Sequence, residues 1–196
     1  MKTKPISSLD PRAPLVLDTR ELGRRPGSMR RLRRTAPAPG DLLVGMVGIP
    51  EGAGIELDLR LESVMEGVLV SGTARSRVTG ECARCLDPVA GEVEVELQEL
   101  YAYPHTDAEG DEELLRLDGD LLDLAPMVRD ALVLELPLSP RCDDDCPGLC
   151  PTCGVRLAGA EPDHGHESTD PRWAALRGLQ GLPELTDLRT TDSQES

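Results

Sequence analysis

Cys142, Cys146, Cys150 and Cys153 crowd one short stretch, RCDDDCPGLCPTCG over residues 141–154, and the remaining two cysteines, Cys82 and Cys85, stand far upstream. Thiols gathered so densely can hold a metal ion, close disulfides, carry an iron–sulfur cluster or do redox work. In a Cys-x2-Cys pair both sulfurs can face one ion while the intervening backbone turns. Two such pairs complete a tetrahedron with Zn–S of about 2.3 Å. Cys82/Cys85 and Cys150/Cys153 both have that spacing, and Pro151 and Gly154 make the second pair C-P-T-C-G, a knuckle sequence common in zinc ribbons. Cys142 and Cys146 form a looser Cys-x3-Cys pair.

Downstream, His164 and His166 in EPDHGHES add two imidazoles, so eight donors are at hand, enough for two zinc ions. One partition places Cys82, Cys85, Cys142 and Cys146 on one ion and Cys150, Cys153, His164 and His166 on another. The rival partition puts the two Cys-x2-Cys pairs on a single ion and leaves the other donors free or weakly bound. Spacing alone leaves both open.

The redox alternatives fit less well. Cys146, Cys150 and Cys153 share the C-x3-C-x2-C spacing of radical S-adenosylmethionine enzymes, but the residues after Cys153 are too few for the barrel that motif opens. A thioredoxin-like pair needs a strand-to-helix setting, which neither Cys-x2-Cys pair has. Asp143, Asp144 and Asp145 read as a solvated stretch that keeps the loop extended. No nucleophile, phosphate-binding loop or acid/base set accompanies them, so the chain is expected to act without catalysis.

The elements that must position these thiols are mostly strands. Phe is absent, Trp occurs once and Tyr twice, so a core has to come from Val, Leu, Ile and Ala. LVLD (15–18) suits a short strand. LLVGMVGI (42–49) is apolar enough for one buried strand. In IELDLRLE (55–62), Ile55, Leu57, Leu59 and Leu61 alternate with Glu56, Asp58, Arg60 and Glu62, the pattern of a half-buried antiparallel strand. VMEGVLVSGTARSRV (64–78) continues in strand-type residues, its glycines suggesting a bulge or bend, and VAGEVEVELQELYAY (89–103) alternates again. Cys82 and Cys85 therefore sit at the tip of a hairpin, 80–88. The fold expected is α+β: an antiparallel β meander or small barrel of five or six strands, covered by one main helix, with a cysteine-rich zinc-binding segment.

That helix is read over 121–135, from the spacing of Leu121, Leu124, Val128, Ala131, Leu132 and Glu135. Asp120 or Asp123 is the candidate cap and Pro137 the stop. The domain reading is an N-terminal tail (1–14), a β-rich domain (15–140) with a basic loop or short helix at 20–40, and a zinc-binding segment (141–168). A short helix (169–180) and a disordered tail (181–196) follow. HTDAEGDEE (105–113) reads as an acidic loop, and His105 within it has no assigned role.

Charge divides the chain. Its formal net charge is −15, yet residues 1–40 carry ten Lys or Arg against three acids, a local +7, while the remainder stands at −22. Only the N-terminal segment can gain from phosphate contacts. No run approaches the length of a membrane span and no secretory h-region opens the chain. A cytoplasmic protein is expected, and there clustered thiols more often bind metal than pair as disulfides.

G-E-C-A-R-C-L at 80–86, followed about fifty residues later by E-L-P-L-S-P-R-C-D-D-D-C-P-G-L-C-P-T-C-G, resembles the YceD family, and D-P-R-W-A-A-L at 170–176 is similar to the tail motif of actinobacterial members. The resemblance spans about residues 15–180. It implies a role in accumulation of large-subunit (23S) ribosomal RNA, with Cys82, Cys85, Cys142 and Cys146 as the shared site and Cys150 and Cys153 as an extra pair. Where the cysteine-rich subgroup continues with further cysteines, this chain has His164 and His166. With that role, the partner expected is ribosomal RNA, for which the charge division makes Arg24, Arg25, Arg30, Arg31, Arg33 and Arg34 the candidate contacts, or a basic large-subunit assembly or ribosomal protein met by the acidic remainder.

Overall fold

Fifteen-residue strands Gly67–Glu81 (β6) and Pro88–Ala102 (β7) form the long hairpin, paired without a break from Gly67↔Ala102 to Glu81↔Pro88 in the computed structural model. The structure describes residues 9–104, 115–166 and Arg172. Strand β5 (Gly54–Ser63) lies along the other edge of β6, and β2 (Met29–Pro37) lies beyond β5. Further along β6, the small hairpin of β3 (Leu43–Val44) and β4 (Val47–Gly48) continues the edge where β5 leaves off. The sheet is antiparallel and open, a meander and not a closed barrel.

Period-two alternation decides which face is covered. Ile55, Leu57, Leu59 and Leu61 of β5 are buried with Val68, Val70 and Ala74 of β6 and Val93, Val95 and Leu97 of β7. Over this face lie a two-stranded ribbon, β1 (Val16–Asp18) against β8 (Leu121–Asp123), and helix α1 (Ala125–Glu135). Met127, Val128 and Leu132 of α1 pack into the same core, each buried aliphatic contributing about 1.5–3 kcal/mol. Tyr101 is the largest fully buried side chain among the described residues. It is almost wholly buried, and its hydroxyl donates to the Asp123 carbonyl at 2.9 Å, tying β7 to β8.

Several elements differ from the sequence reading. The segment 20–40 is not simply a loop or short helix, because residues 29–37 form strand β2. Leu32, Arg34 and Ala36 turn toward the layer beneath while Arg31, Arg33 and Thr35 face outward. An arginine in the inward register hid the alternation. Residues 42–49 are a hairpin and not one strand: Gly45 turns at φ +55°, and at Gly48 a Cβ would lie 2.5 Å from the Leu42 carbonyl oxygen.

The helix starts at Ala125, later than expected, because Pro126 lacks an amide proton and fits only the first turn. Leu121–Asp123 instead pairs with β1. Asp123 still serves the helix start, its Oδ1 accepting the Ala125 amide at 2.9 Å. Gly72 makes no bulge; it allows β5 to approach so closely that a Cβ would sit 2.0 Å from the Asp58 carbonyl oxygen. The acidic loop 105–113, most of the N-terminal tail, the 169–180 helix apart from Arg172, and the 181–196 tail lie outside the described residues.

Candidate metal centre

The tip of the β6–β7 hairpin is a knuckle. Cys82 N–H donates to the Asp87 carbonyl at 2.8 Å and Leu86 N–H to the Cys82 carbonyl at 2.9 Å, with Leu86 in the left-handed region at φ +61°. This closure turns both sulfurs the same way. The segment after α1 is brought against the tip by Ala83 N–H, which donates to the Pro140 carbonyl at 2.8 Å. Asp143–Asp145 do not extend that segment but fold it: Asp145 N–H donates to Asp143 Oδ1 at 2.9 Å and Cys146 N–H to the Asp143 carbonyl at 3.2 Å. The turn-forming hydrogen bonds of the aspartate run leave no spacing signature, so the sequence suggests an extended stretch where the structure has a turn.

These contacts gather Cys82, Cys85, Cys142 and Cys146 so that all four sulfurs lie within 4.8 Å of one another, with Cys82–Cys146 at 3.9 Å and Cys85–Cys142 at 3.5 Å. Cys82, Cys85 and Cys146 are buried, with Val89 packed against them, and Cys142 is exposed. The backbone amide of Cys85, then those of Arg84 and Cys142, hold the Cys82 thiol at about 6 against the opposing effect of burial. Cys85 goes the other way: the Asp87 amide favours its thiolate, but burial and the thiols of Cys142, Cys82 and Cys146 outweigh it. Cys142 is also raised, its contact with Cys85 being outweighed by Cys146, burial and Cys82. Four thiols this close cannot all ionise cheaply without a cation among them.

A second group follows directly. Cys150 N–H donates to the Val155 carbonyl at 2.8 Å and Gly154 N–H to the Cys150 carbonyl at 2.8 Å, with Gly154 at φ +73°. This repeats the hydrogen bonds and the left-handed residue of the first knuckle, position for position. Ligand atoms of Cys150, Cys153, His164 and His166 lie within 4.8 Å of one another, with Cys153 Sγ 3.5 Å from His164 Nε2. The amide of Cys153, then His164 and the amide of Thr152, lower the Cys150 thiol to about 6. The two Cys-x2-Cys pairs thus stand in different groups, the first of the two partitions that spacing allowed.

Sequence reasoning missed the residues that join the groups. Arg84, inside the first knuckle, directs its amide to Cys82 Sγ at 3.4 Å and its guanidinium to the Cys146 carbonyl at 2.5 Å. Its own carbonyl accepts the Leu149 amide at 3.0 Å. Asp87 faces Cys85 Sγ at 3.4 Å and forms an ion pair with Arg156 just beyond the second knuckle. Gly148, in C-P-G-L-C, was the only visible signal of this docking.

Four of the six arginines singled out from the sequence, Arg30, Arg31, Arg33 and Arg34, lie on β2, with Arg31 and Arg33 outward and Arg34 in the inward register. Arg24 reaches Asp120 at 3.1 Å and lies over the Tyr103 ring; Arg30 pairs with Glu21 at 3.0 Å and Arg33 with Asp58 at 2.7 Å. Arg34 donates to the Val16 carbonyl at 3.3 Å, bracing β2 against β1. Arg25 and Arg31 are exposed and have no ion pair among the described residues.

The fold is an open antiparallel sheet with a helix on one face, and its hairpin tip and the segment beside it carry two groups of side chains that could each hold a metal ion. The chain belongs to the YceD family: the model described as large ribosomal RNA subunit accumulation protein YceD matches residues 70–180. An uncharacterized protein of Mycobacterium tuberculosis (strain ATCC 25618 / H37Rv) is 49% identical over 180 residues, 90% of this chain and 86% of the relative. One from Mycobacterium leprae is 42% identical over 188 residues, 94% of this chain and 85% of the relative. YlbN of Bacillus subtilis is 29% identical over 99 residues, 50% of this chain and 58% of the relative. No solved structure matches. Among the described residues no helix is long and apolar enough to cross a membrane.

Proposed function

We propose that the chain is a non-enzymatic, zinc-stapled factor that supports accumulation of 23S ribosomal RNA and assembly of the large subunit, working in the cytoplasm. Family membership supports the ribosomal half of this reading. The observation that carries the zinc half is the sulfur geometry of Cys82, Cys85, Cys142 and Cys146. A tetrahedral ion with Zn–S of about 2.3 Å requires S–S separations of about 3.8 Å, and the close pairs stand at 3.5 and 3.9 Å. Four thiolates would saturate the ion and leave no position for water, so its role is to clamp the segment after α1 to the hairpin tip.

The partner is ribosomal RNA reached through Arg25 and Arg31, or a basic large-subunit protein reached through the acidic body. Elemental analysis and a visible spectrum of anaerobically purified protein test the metal. Stoichiometric zinc without a charge-transfer band is expected; iron with such a band replaces this reading with an iron–sulfur one, and neither metal with a Cys–Cys bond replaces it with thiol redox. Binding of 23S fragments across a salt series, beside pull-down of ribosomal proteins, tests the partner. Salt-dependent loss of RNA in the Arg25→Ala/Arg31→Ala variant supports direct contact with RNA.

A further inference from the structure

We propose that Cys150, Cys153, His164 and His166 form a second, solvent-facing zinc site that is built on the first, loads after it and exchanges before it. The proposal rests on the zinc reading above for Cys82, Cys85, Cys142 and Cys146.

Three observations carry it. The second knuckle reproduces the first in both hydrogen bonds and in its left-handed residue, Gly154 standing where Leu86 stands. A local backbone built this way turns two sulfurs toward one point, and His164 and His166 close the set. His164 is positioned by its own turn, its N–H donating to the Glu161 carbonyl at 2.9 Å. Two thiols and two imidazoles whose ligand atoms lie within 4.8 Å of one another are a donor set that suits zinc.

The second knuckle also has few supports of its own. Cys153 and His166 are exposed, and all four donors come from residues 150–166, whereas the first group joins two distant segments and buries three of its sulfurs. An exposed set with donors from one short segment gives up its ion to a competing ligand more readily.

Finally, the second knuckle is oriented by the first. Leu149, immediately before Cys150, is held by the Arg84 carbonyl between Cys82 and Cys85, and the Arg84 guanidinium fixes Cys146. Leu157 N–H donates to the Gly148 carbonyl at 3.0 Å, closing the knuckle on the residue that touches Arg84. Gly148 has φ +82°, and a Cβ there would stand 3.0 Å from the Arg84 carbonyl oxygen. Arg156 pairs with Asp87 on the far side. Until the first ion holds 142–146 against the hairpin tip, Leu149 and Arg156 are not kept beside the Arg84 carbonyl and Asp87 on which they dock.

The test is competition between a chromophoric zinc chelator and the zinc-loaded full chain, with stoichiometry by native mass spectrometry. The wild-type chain is expected to hold two zinc ions released in two steps. Cys150→Ser/Cys153→Ser and His164→Ala/His166→Ala should each lose the weaker step and keep the tighter one. Cys142→Ser/Cys146→Ser should lose the tighter step and weaken the other. Gly148→Val keeps all eight donors and should weaken only the second step, by about 10- to 100-fold, the range for loss of a group that orients ligands. One zinc per wild-type chain that Cys142→Ser/Cys146→Ser removes and Cys150→Ser/Cys153→Ser leaves in place, or a second step unmoved by His164→Ala/His166→Ala, overturns the site. A second step unmoved by both Gly148→Val and Cys142→Ser/Cys146→Ser overturns the dependence. A missing tighter step in the wild-type chain sinks the zinc reading of the first site instead, so the two failures are distinct.

Discussion

Leu86 and Gly154 occupy the same position in two copies of one knuckle, four residues after Cys82 and Cys150, and both are left-handed, at φ +61° and +73°. Only glycine adopts that conformation without penalty. A residue with a Cβ gives up roughly 1–2 kcal/mol there. Leu86 is the only non-glycine residue with positive φ among the described residues, and half of its surface is exposed. Leu86→Gly should therefore leave zinc binding intact and change stability by no more than about 1 kcal/mol, because the relieved strain offsets glycine's greater unfolded freedom. Gly154→Leu should cost about 1–2 kcal/mol, nearly all of it in the second knuckle. Denaturant unfolding of the zinc-loaded variants measures the difference.

Metal removal should loosen one end of the molecule and spare the rest. The hydrophobic core lies between the sheet and α1 and contains none of the six cysteines. Hydrogen exchange after chelation should show β5, the Gly67–Ser76 part of β6 and α1 still protected. Residues 82–87 and 141–166 should gain exchange, Leu149 and Cys146 among the first. Uniform loss of protection would mean that the metal supports the whole fold and not only the clamp.

Much of this was legible beforehand, for definite physical reasons. In β5 every second residue is an aliphatic with a charged neighbour, so the buried face of Ile55, Leu57, Leu59 and Leu61 follows from period two alone. The Cys-x2-Cys pairs carry their own geometry, because the knuckle is closed by local backbone bonds. What could not be read was long-range. Nothing local says that Leu121–Asp123 finds a strand partner over a hundred residues earlier in Val16–Asp18. Nothing local separates the two partitions of eight donors, because the grouping goes with contacts between distant residues, the Ala83 amide with the Pro140 carbonyl and the Leu149 amide with the Arg84 carbonyl. The arginines misled for a related reason: Arg34 reads as a solvent charge, yet it braces β2 against β1.

Acid should release zinc from the first site, and alkali should keep tightening it. Binding requires thiolates. Cys82, held at about 6 chiefly by the Cys85 amide, is already ionised at neutral pH and adds little pH dependence above that value. Cys85 and Cys142 are raised above the ordinary thiol value, so their protons still have to leave. Each proton displaced contributes about a tenfold gain in apparent affinity per pH unit, and these two together about a hundredfold. The gain should continue above the pH where an unstructured Cys-x2-Cys peptide levels off, near about 8.5. Chelator competition across this range checks it, and levelling at the peptide's value would contradict the raised thiols.

The arginines should separate into two groups when changed one at a time. Arg34→Ala removes a donor to the Val16 carbonyl and should cost about 1 kcal/mol of stability. Arg30→Ala breaks an exposed pair with Glu21 and should cost less. Neither loss depends on RNA. Arg25 and Arg31 already face solvent without an ion pair, so Arg25→Ala and Arg31→Ala should leave unfolding unchanged. If these two meet phosphates of a single strand, each substitution should lower the slope of log affinity against log salt by roughly 0.7. Fluorescence anisotropy of a 23S fragment over a salt series, beside a denaturant curve for each variant, measures both quantities on one protein. A flat salt response with intact capture of a basic ribosomal protein would move the partner to the acidic side of the molecule. There Glu94 and Glu96 stand outward on β7, the sheet edge opposite β2.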